Sequence, residues 1–195
     1  MIIIRPERPS DVAARDALLD RAFGPGRFAK TSERLRAGNT PAAGLALVAT
    51  EAGPAGGSRV VGTVRLWPVA AGGRDVLLLG PLAVEPDRQG EGIGAVLMHQ
   101  CLTLAHQLGH AAVLLVGDAP YYARFGFSAA ATGALAMPGP FEPARLLARE
   151  LVPGALAGVA GTITRRPAAA PLRQPATRPA RRKAGGRGAG VRHAA

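Results

Sequence analysis

Apolar positions follow two different periods along the chain, and the change from one to the other lies within residues 76–98. Residues 76–84 are nearly all apolar, which is typical of a strand buried on both faces. Pro86 ends this run, a glycine-rich segment follows, and apolar residues then recur at spacings of three and four from Ile93 to Leu108. That spacing predicts a helix. The sequence therefore predicts a strand, a glycine-rich turn and a helix in succession.

The segments on either side predict a mixture of strands and helices. Before residue 76 we expect strands at residues 2–4, 45–50 and 59–68, and helices starting near Ser10 or Asp11 and over residues 27–36. In the second helix, Phe28 and Leu35 should face inward. After residue 108 we expect a strand at residues 111–116, a helix at 141–151 and a final strand at 156–163. Because a helix connects them, strands 76–84 and 111–116 should be parallel, within an α+β plan.

The glycine-rich turn at the start of a helix predicts an anion site. The first N–H groups of a helix have no partner within it, and the glycines Gly90, Gly92 and Gly94 leave them uncovered. The alternative is a turn that only caps the helix. The pattern Gly90-x-Gly92-x-x-Ala95 also fits a dinucleotide fingerprint, but 75 residues precede the strand and only one strand–helix unit follows it. A phosphate site of another class is therefore favoured.

Two motifs in this order resemble those of the GCN5-related N-acetyltransferase (GNAT) family. Gln89, Gly92 and Gly94 fit its motif A, Gln/Arg-x-x-Gly-x-Gly/Ala, after the strand. About 30 residues later, Tyr122 begins a Tyr-x-x-x-Gly-Phe element within the sequence Tyr-Tyr-Ala-Arg-Phe-Gly-Phe. The resemblance covers residues 1–163 and is closest to small bacterial predicted N-acetyltransferases with the signature Gly-Asp-x-x-Tyr-Tyr-x-Arg-Phe-Gly-Phe.

The resemblance implies a fold and an activity. The expected fold is α+β, with about seven strands in a mostly antiparallel sheet, a central parallel pair that splays apart, and flanking helices. The expected reaction is transfer of an acetyl group from acetyl-CoA, as cosubstrate, to a primary amine by direct attack in a ternary complex. The acceptor is a small amine or an amine of a protein or peptide. The alternative is a non-catalytic acyl-CoA-binding or interaction module with the same fold.

The resemblance also assigns roles to residues. A backbone N–H near Val84 would meet the thioester carbonyl, because a bulge there stops the strand from pairing with its neighbour. Tyr122 is the candidate acid for the CoA thiolate, and Glu85 is the candidate base, with Asp118 or water as alternatives. In the family, the pair formed by the first helix and the helix over residues 27–36 walls the acceptor groove, so the basic residues of the second helix are solvated or attract an anionic acceptor or the cofactor. The expected cofactor-binding residues are Leu82, Ala83, Val84, Gln89, Gly90, Glu91, Gly92, Ile93, Gly94 and Ala95.

The charge of the chain is concentrated at its C-terminal end. The net charge is +11, but nine of the 24 basic residues lie from Arg165 onward, where there is no acidic residue. That leaves 15 basic against 13 acidic residues in residues 1–164, which we take as the acetyltransferase domain. Residues 165–195 are rich in Pro, Ala and Gly and predict a disordered basic tail that contacts nucleic acid nonspecifically or is only solvated.

The remaining features narrow the setting. Cys101 is the only cysteine and lies on the apolar stripe of the predicted helix, which indicates a buried residue rather than a nucleophile. His99, His106 and His110 lack a fourth ligand, so no metal is expected. No apolar run approaches 18 residues and no signal peptide is recognised, so we expect a cytoplasmic protein without a membrane span, either monomer or homodimer.

Overall fold

Two long strands, β3 (Ser58–Ala71) and β4 (Arg74–Val84), form the antiparallel hairpin at the centre of the sheet. A computed structural model describes residues 1–53 and 57–166. The sheet continues on one side through β2 (Ala46–Ala52) and β1 (Ile3–Pro6), and on the other through β5 (Ala112–Val116) and β7 (Leu146–Glu150). β9 (Thr164–Arg165) pairs with the end of β3, and β6 (Leu135–Ala136) pairs with β8 (Gly161–Thr162) separately. In the seven-stranded sheet only β4 and β5 are parallel.

Helices cover both faces of this sheet. α1 (Val12–Phe23) packs Leu18 and Leu19 against a cluster that includes Val48, while α3 (Ile93–Gln107) packs against Leu47 and its neighbours. Because successive side chains of a strand point to opposite faces, α1 and α3 lie on opposite sides of the sheet. The short helices α2 (Glu33–Arg36) and α4 (Ala119–Ala123) lie near one edge of β4, beside the site described below.

The central predictions are confirmed. The strand at 76–84 is β4, the helix that starts at Ile93 is α3, and the strand at 111–116 is β5, parallel to β4. The fold is α+β with a seven-stranded, mostly antiparallel sheet, as the family resemblance implies.

Three local predictions were wrong. Residues 146–150 form strand β7 rather than part of a helix, because pairing with β5 determines their conformation. Residues 156–163 do not form one strand: residues 156–158 end a turn, in which the Val159 N–H donates to Leu156 O at 3.1 Å, and only Gly161–Thr162 pair as a strand. Residues 27–36 are divided between a 3₁₀ turn (Pro25–Ala29) and α2, and Phe28 is 60% exposed instead of inward.

The described chain ends on the sheet. Arg165 lies in β9, and its guanidinium donates to the Ala37 carbonyl at 2.6 Å, while the Arg166 side chain lies 2.6 Å from the Asp75 carboxylate. These two residues of the predicted tail therefore contact the folded domain. The rest of that predicted tail, residues 167–195, lies outside the described residues. Within the described ranges, no helix is both long and apolar enough to cross a bilayer.

The position of α3 depends on the absence of a side chain at Gly62 of β3. A Cβ there would lie 2.9 Å from Leu97 Cδ1, 3.1 Å from Ile93 Cγ2 and 3.3 Å from Ala49 Cβ. We expect Gly62→Ala to lower the free energy of unfolding by about 1–3 kcal/mol, because overpacking forces the helix away from the sheet. Thermal melting of the purified protein measures this loss.

Gly133→Ala is the matched control, since a Cβ at residue 133 has no described heavy atom within 4 Å. A Gly62→Ala protein that melts at the control's temperature would contradict close packing of α3 against β3.

Candidate active site

The two parallel strands separate after a short pairing. β4 and β5 pair only at Leu77 with Val113 and Leu78 with Leu114. Beyond these positions, the end of β4 and the end of β5 line a cleft instead of pairing. The splayed pair that the family resemblance implies is therefore present.

A β-bulge in β4 lies at the point of separation, earlier than expected. Leu66 pairs with Leu79 and Val64 pairs with Leu82, so Gly80 and Pro81 together oppose Arg65. The predicted bulge near Val84 was wrong, because β4 stays paired with β3 as far as Val84. Proline has no N–H to give to a ladder, which favours an irregularity at residue 81. The buried indole of Trp67 donates to the Gly80 carbonyl at 2.5 Å and fixes this bulge.

Beyond the bulge, β4 has a free backbone edge. The Glu85 N–H donates to Val61 O at 2.9 Å, towards β3. Because backbone groups alternate along a strand, the N–H groups of Val84 and Leu82 face the other way, where β5 no longer pairs. The side-chain amide nitrogen of Gln89, Nε2, lies 3.5 Å from the Val84 carbonyl oxygen on that edge. Two backbone donors at the free edge are thus available to a ligand.

One cavity, which we name the α3 cavity, extends from this edge to the start of α3. It has a volume of about 450 Å³. Gly92 precedes the helix in the left-handed conformation, with φ +81°, which turns the chain so that the first amides of α3 open towards the cavity. Its lining is Leu82, Ala83, Val84, Arg88, Gln89, Gly90, Gly92, Ile93, Gly94, Ala95, Tyr121, Tyr122 and Arg124.

Nearly all of the predicted cofactor-binding residues lie on this wall. The exception is Glu91, whose carboxylate is paired with Arg88 at 2.8 Å. The sequence analysis missed Arg88, Tyr121 and Arg124. The Arg124 guanidinium lies over the Tyr121 ring, 4.1 Å from its centroid. Both residues belong to the same sequence signature as Tyr122, so that signature could have indicated them. The charged lining side chains are two arginines, which suits phosphate groups.

A second cavity, which we name the α2 cavity, joins the first at Leu82, Tyr121 and Tyr122. Its volume is about 430 Å³. The β4 bulge and the end of β5 form its floor, and the segment around α2 forms its wall. Its charged and aromatic lining residues are Phe23, Arg27, Lys30, Glu33, Arg36, Asp118, Tyr121, Tyr122 and Arg145.

Tyr122 lies at the junction of the cavities. Its ring covers Gly117 so closely that a Cβ there would overlap it, and it makes an edge contact with Phe127 at 6.1 Å between centroids. Burial raises the pKa of Tyr122 to about 12. Its hydroxyl has no hydrogen-bond partner within the part of the chain that the structure describes, and it can therefore bind a ligand.

Glu85 lies away from this junction. It is 2% exposed, lines neither cavity, and accepts two hydrogen bonds from Arg21 of α1 at 2.5 and 3.1 Å. The sequence could not show this pairing, because 64 residues separate the partners. Glu85 therefore anchors α1 to the end of β4, whereas the alternative carboxylate, Asp118, lines the α2 cavity.

Two other sequence predictions concern the helix α3. Cys101 is fully buried, its thiol lies 3.2 Å from the Met98 carbonyl, and burial raises its pKa to about 12, so it is no nucleophile. Across residues 1–53 and 57–166, no group of three or more His, Cys, Asp or Glu side chains is placed to hold a metal ion.

Comparisons with known proteins identify relatives of the chain. Residues 43–129 match the family model described as the acetyltransferase (GNAT) domain. Over 164 residues the chain is 34% identical to the uncharacterized N-acetyltransferase YhbS of Escherichia coli strain K12. That match covers 83% of this chain and 95% of YhbS.

Two solved structures combine similar folds with the same level of identity. The crystal structure of E. coli YhbS in complex with CoA is 34% identical, with a TM-score of 0.71, over 85% of this chain and 89% of that one. A GNAT family acetyltransferase from Brucella melitensis in complex with acetyl-CoA is also 34% identical, with a TM-score of 0.55, over 76% and 96% of the two chains.

The α3 cavity should bind CoA through the amides at the start of α3. We expect saturating CoA to raise the melting temperature by about 5 °C or more, because a ligand of the native state stabilises it. A Cβ at Gly94 would lie 3.4 Å from the Tyr121 hydroxyl and 3.5 Å from Val84 Cγ2, so a larger side chain there must enter the cavity. Gly94→Leu should abolish the shift.

Gly133→Leu, in open space, should keep the full shift. An unchanged shift in Gly94→Leu would remove the phosphate assignment of this cavity, and a larger shift with NADH than with CoA would favour a dinucleotide site.

Proposed function

Because this chain belongs to the GCN5-related N-acetyltransferase family, we propose that it transfers the acetyl group of acetyl-CoA to the nitrogen of a primary amine. The observation that carries this proposal is the meeting of the two cavities at Leu82, Tyr121 and Tyr122. The α3 cavity offers groups that suit a phosphorylated, amide-containing cosubstrate. An amine in the α2 cavity would reach a thioester at the junction.

The cosubstrate would be held mainly by backbone groups. The amides at the start of α3 would bind the pyrophosphate, where the helix dipole adds partial positive charge. Arg124 lines the same cavity and would add charge-assisted hydrogen bonds, whereas Arg88 is already paired with Glu51 and Glu91. The backbone edge of Leu82 and Val84 would pair with the amides of the pantetheine arm in place of a strand. The 34%-identical relatives were crystallised with CoA and acetyl-CoA, which supports this assignment.

The thioester carbonyl needs a donor at the point where negative charge develops. We assign this role to the N–H of Leu82, because Leu82 lines both cavities, whereas Val84 lines only the α3 cavity. A backbone donor is fixed before the reaction begins, so it can stabilise the developing oxyanion without reorganisation.

Proton movements balance within the ternary complex. The amine nitrogen forms the C–N bond, the C–S bond breaks, the nitrogen loses one proton and the departing sulfur gains one. We propose that the Tyr122 hydroxyl donates the proton to sulfur, because it lies at the junction and stays protonated well above neutral pH, with a pKa of about 12.

The amine must lose a proton before it attacks. At pH 7 this costs about 4.6 kcal/mol for a lysine-like amine. We propose that Asp118 accepts this proton through water, since Asp118 lines the α2 cavity together with Tyr122, and the Tyr122 N–H donates to the Asp118 carbonyl at 3.1 Å one helical turn away. Glu33, the other carboxylate on that wall, lies 3.3 Å from Arg36.

The proposal is tested by CoA release from acetyl-CoA with a panel of small amines and amine-bearing peptides. With any acceptor that reacts, Tyr122→Phe should lower kcat about 10²-fold, because the phenol is needed only when the thiolate leaves. Acetyl-CoA affinity should stay within about twofold. Tyr121→Phe is the matched control, because its ring lines the same junction, and it should lose less activity.

A greater loss of activity in Tyr121→Phe than in Tyr122→Phe would show that Tyr122 is not the general acid. Tight acetyl-CoA binding without CoA release on any amine would contradict catalysis and favour the non-catalytic binding module.

A further inference from the structure

The α2 cavity has more cationic than anionic side chains. Four basic residues line it, against the two carboxylates of Glu33 and Asp118: Arg27, Lys30, Arg36 and Arg145. Two of the four already contact other side chains of the segment before α2. Arg27 pairs with Asp20 at 2.7 Å, and the Lys30 ammonium lies 4.6 Å from the centroid of the Phe23 ring. Arg36 and Arg145 therefore determine what the cavity can bind.

Arg36 is a buried guanidinium beside the β4 bulge. It is 9% exposed, and its Nη1 lies 3.5 Å from the position that a Cβ on Gly80 would occupy. Its Nη2 donates to Ser32 Oγ at 2.8 Å. Its Nε lies 3.3 Å from Glu33 Oε2 and forms no hydrogen bond within the described residues. Its Nη1, which approaches β4 at Gly80, has no hydrogen-bond partner in the described part of the chain either, and a further anion at this nitrogen would stabilise the buried guanidinium.

Arg145 reaches the same cavity from the opposite wall. It ends a 3₁₀ turn before β7, and its carbonyl accepts a hydrogen bond from the Gly117 N–H at 2.9 Å, which fixes its backbone at the end of β5. Its guanidinium is exposed and forms no ion pair or hydrogen bond with any side chain in the described ranges. Arg145 and Tyr122 both line the α2 cavity, so the charge of Arg145 lies in the cavity that leads to the reaction centre.

We propose that the acceptor carries an anionic group, a carboxylate or a phosphate, which Arg36 and Arg145 bind while its amine faces Tyr122. This inference rests on the proposed acetyl transfer and specifies its acceptor class. Both arginines can form paired hydrogen bonds with a planar or tetrahedral anion. Asp118 and Glu33 would attract the ammonium end of the same molecule. The cavity thus fits a zwitterionic amine better than a neutral or cationic one.

The phosphates of CoA do not account for these two arginines. Neither Arg36 nor Arg145 lines the α3 cavity, where Gly90, Gly92 and Gly94 would bind the pyrophosphate. Arg36 contacts β4 at Gly80, within the bulge, and the thioester carbonyl is assigned to Leu82, two residues further along the chain; Gly80 and Leu82 both line the α2 cavity. An anion at Arg36 and an amine at the thioester can therefore belong to one small molecule.

The test is a calorimetric titration of the full-length protein saturated with CoA, which allows binding without reaction. Two matched pairs serve as probes at constant ionic strength: 6-aminohexanoate with 6-aminohexanamide, and O-phosphoethanolamine with ethanolamine. In at least one pair, we expect the member that carries the anionic group to bind about tenfold or more tightly than the partner that lacks it, the difference expected for a charge-assisted hydrogen bond. The pair that shows it distinguishes a carboxylate from a phosphate.

Variants then identify the groups responsible. Arg145→Gln, at an exposed position, should weaken binding of the probe with the anionic group about tenfold, while binding of CoA and of the partner without that group stays unchanged. Arg36→Gln should do the same where it folds. Arg34→Gln is the control from the same helix, since Arg34 donates to the Pro138 carbonyl at 2.8 Å and does not line the cavity.

Equal affinities within both pairs would overturn the inference. So would an unchanged affinity of Arg145→Gln for the probe with the anionic group, or a loss of that affinity in Arg34→Gln as large as in Arg145→Gln. Because the titration uses CoA, its outcome does not depend on turnover. Failure of the anionic probes therefore refutes the acceptor class alone, whereas absence of CoA release from acetyl-CoA refutes the proposed transferase activity.

Discussion

The separation of β4 from β5 is the constraint on which both cavities depend. If the parallel pairing had continued, β5 would occupy the backbone edge of Leu82 and Val84, and no ligand could pair with it. Two contacts hold β4 in place while it diverges: Trp67 bonds to the Gly80 carbonyl at the bulge, and Arg21 binds Glu85 at the far end. Both keep β4 attached to the rest of the sheet and to α1. An open cleft within a sheet needs this compensation, because unpaired backbone groups remain at its edge.

Charge is divided between the two cavities in a way that matches two substrates. The α3 cavity combines uncovered helix amides with Arg124, an arrangement suited to phosphates. The α2 cavity combines cations with the carboxylates of Glu33 and Asp118, an arrangement suited to a molecule with both signs of charge. Tyr122 lies between them and, with a pKa of about 12, stays protonated at neutral pH. In the proposed reaction the amine attacks the thioester directly, without a covalent enzyme intermediate.

The sequence predicted the parts of this site that depend on local pattern. The apolar run of β4, the glycines before Ile93 and the stripe of α3 are each encoded within a few residues, so the strand, the turn and the helix were predicted correctly. Features that depend on distant partners were not accessible. Glu85 was chosen as the candidate base because the sequence does not show its contact with Arg21. That contact depends on the packing of α1 against β4. Residues 146–150 were predicted as a helix from their local sequence pattern. Pairing with β5, a tertiary interaction, overrides that local preference and makes them a strand. No sequence pattern pointed to Arg145, because its position at the α2 cavity depends on the same pairing of β7 with β5.

The most direct test of this account is amide hydrogen exchange along β4, measured by NMR with and without CoA. We expect CoA to slow amide exchange at Leu82 and Val84, because their N–H groups lie on the free edge of β4. Ala83 and Glu85 should change little, because their amides already face β3. Protection that alternates along the strand in this way would confirm that the cosubstrate takes the place of a neighbouring strand. CoA binding without slower exchange at Leu82 and Val84 would contradict it.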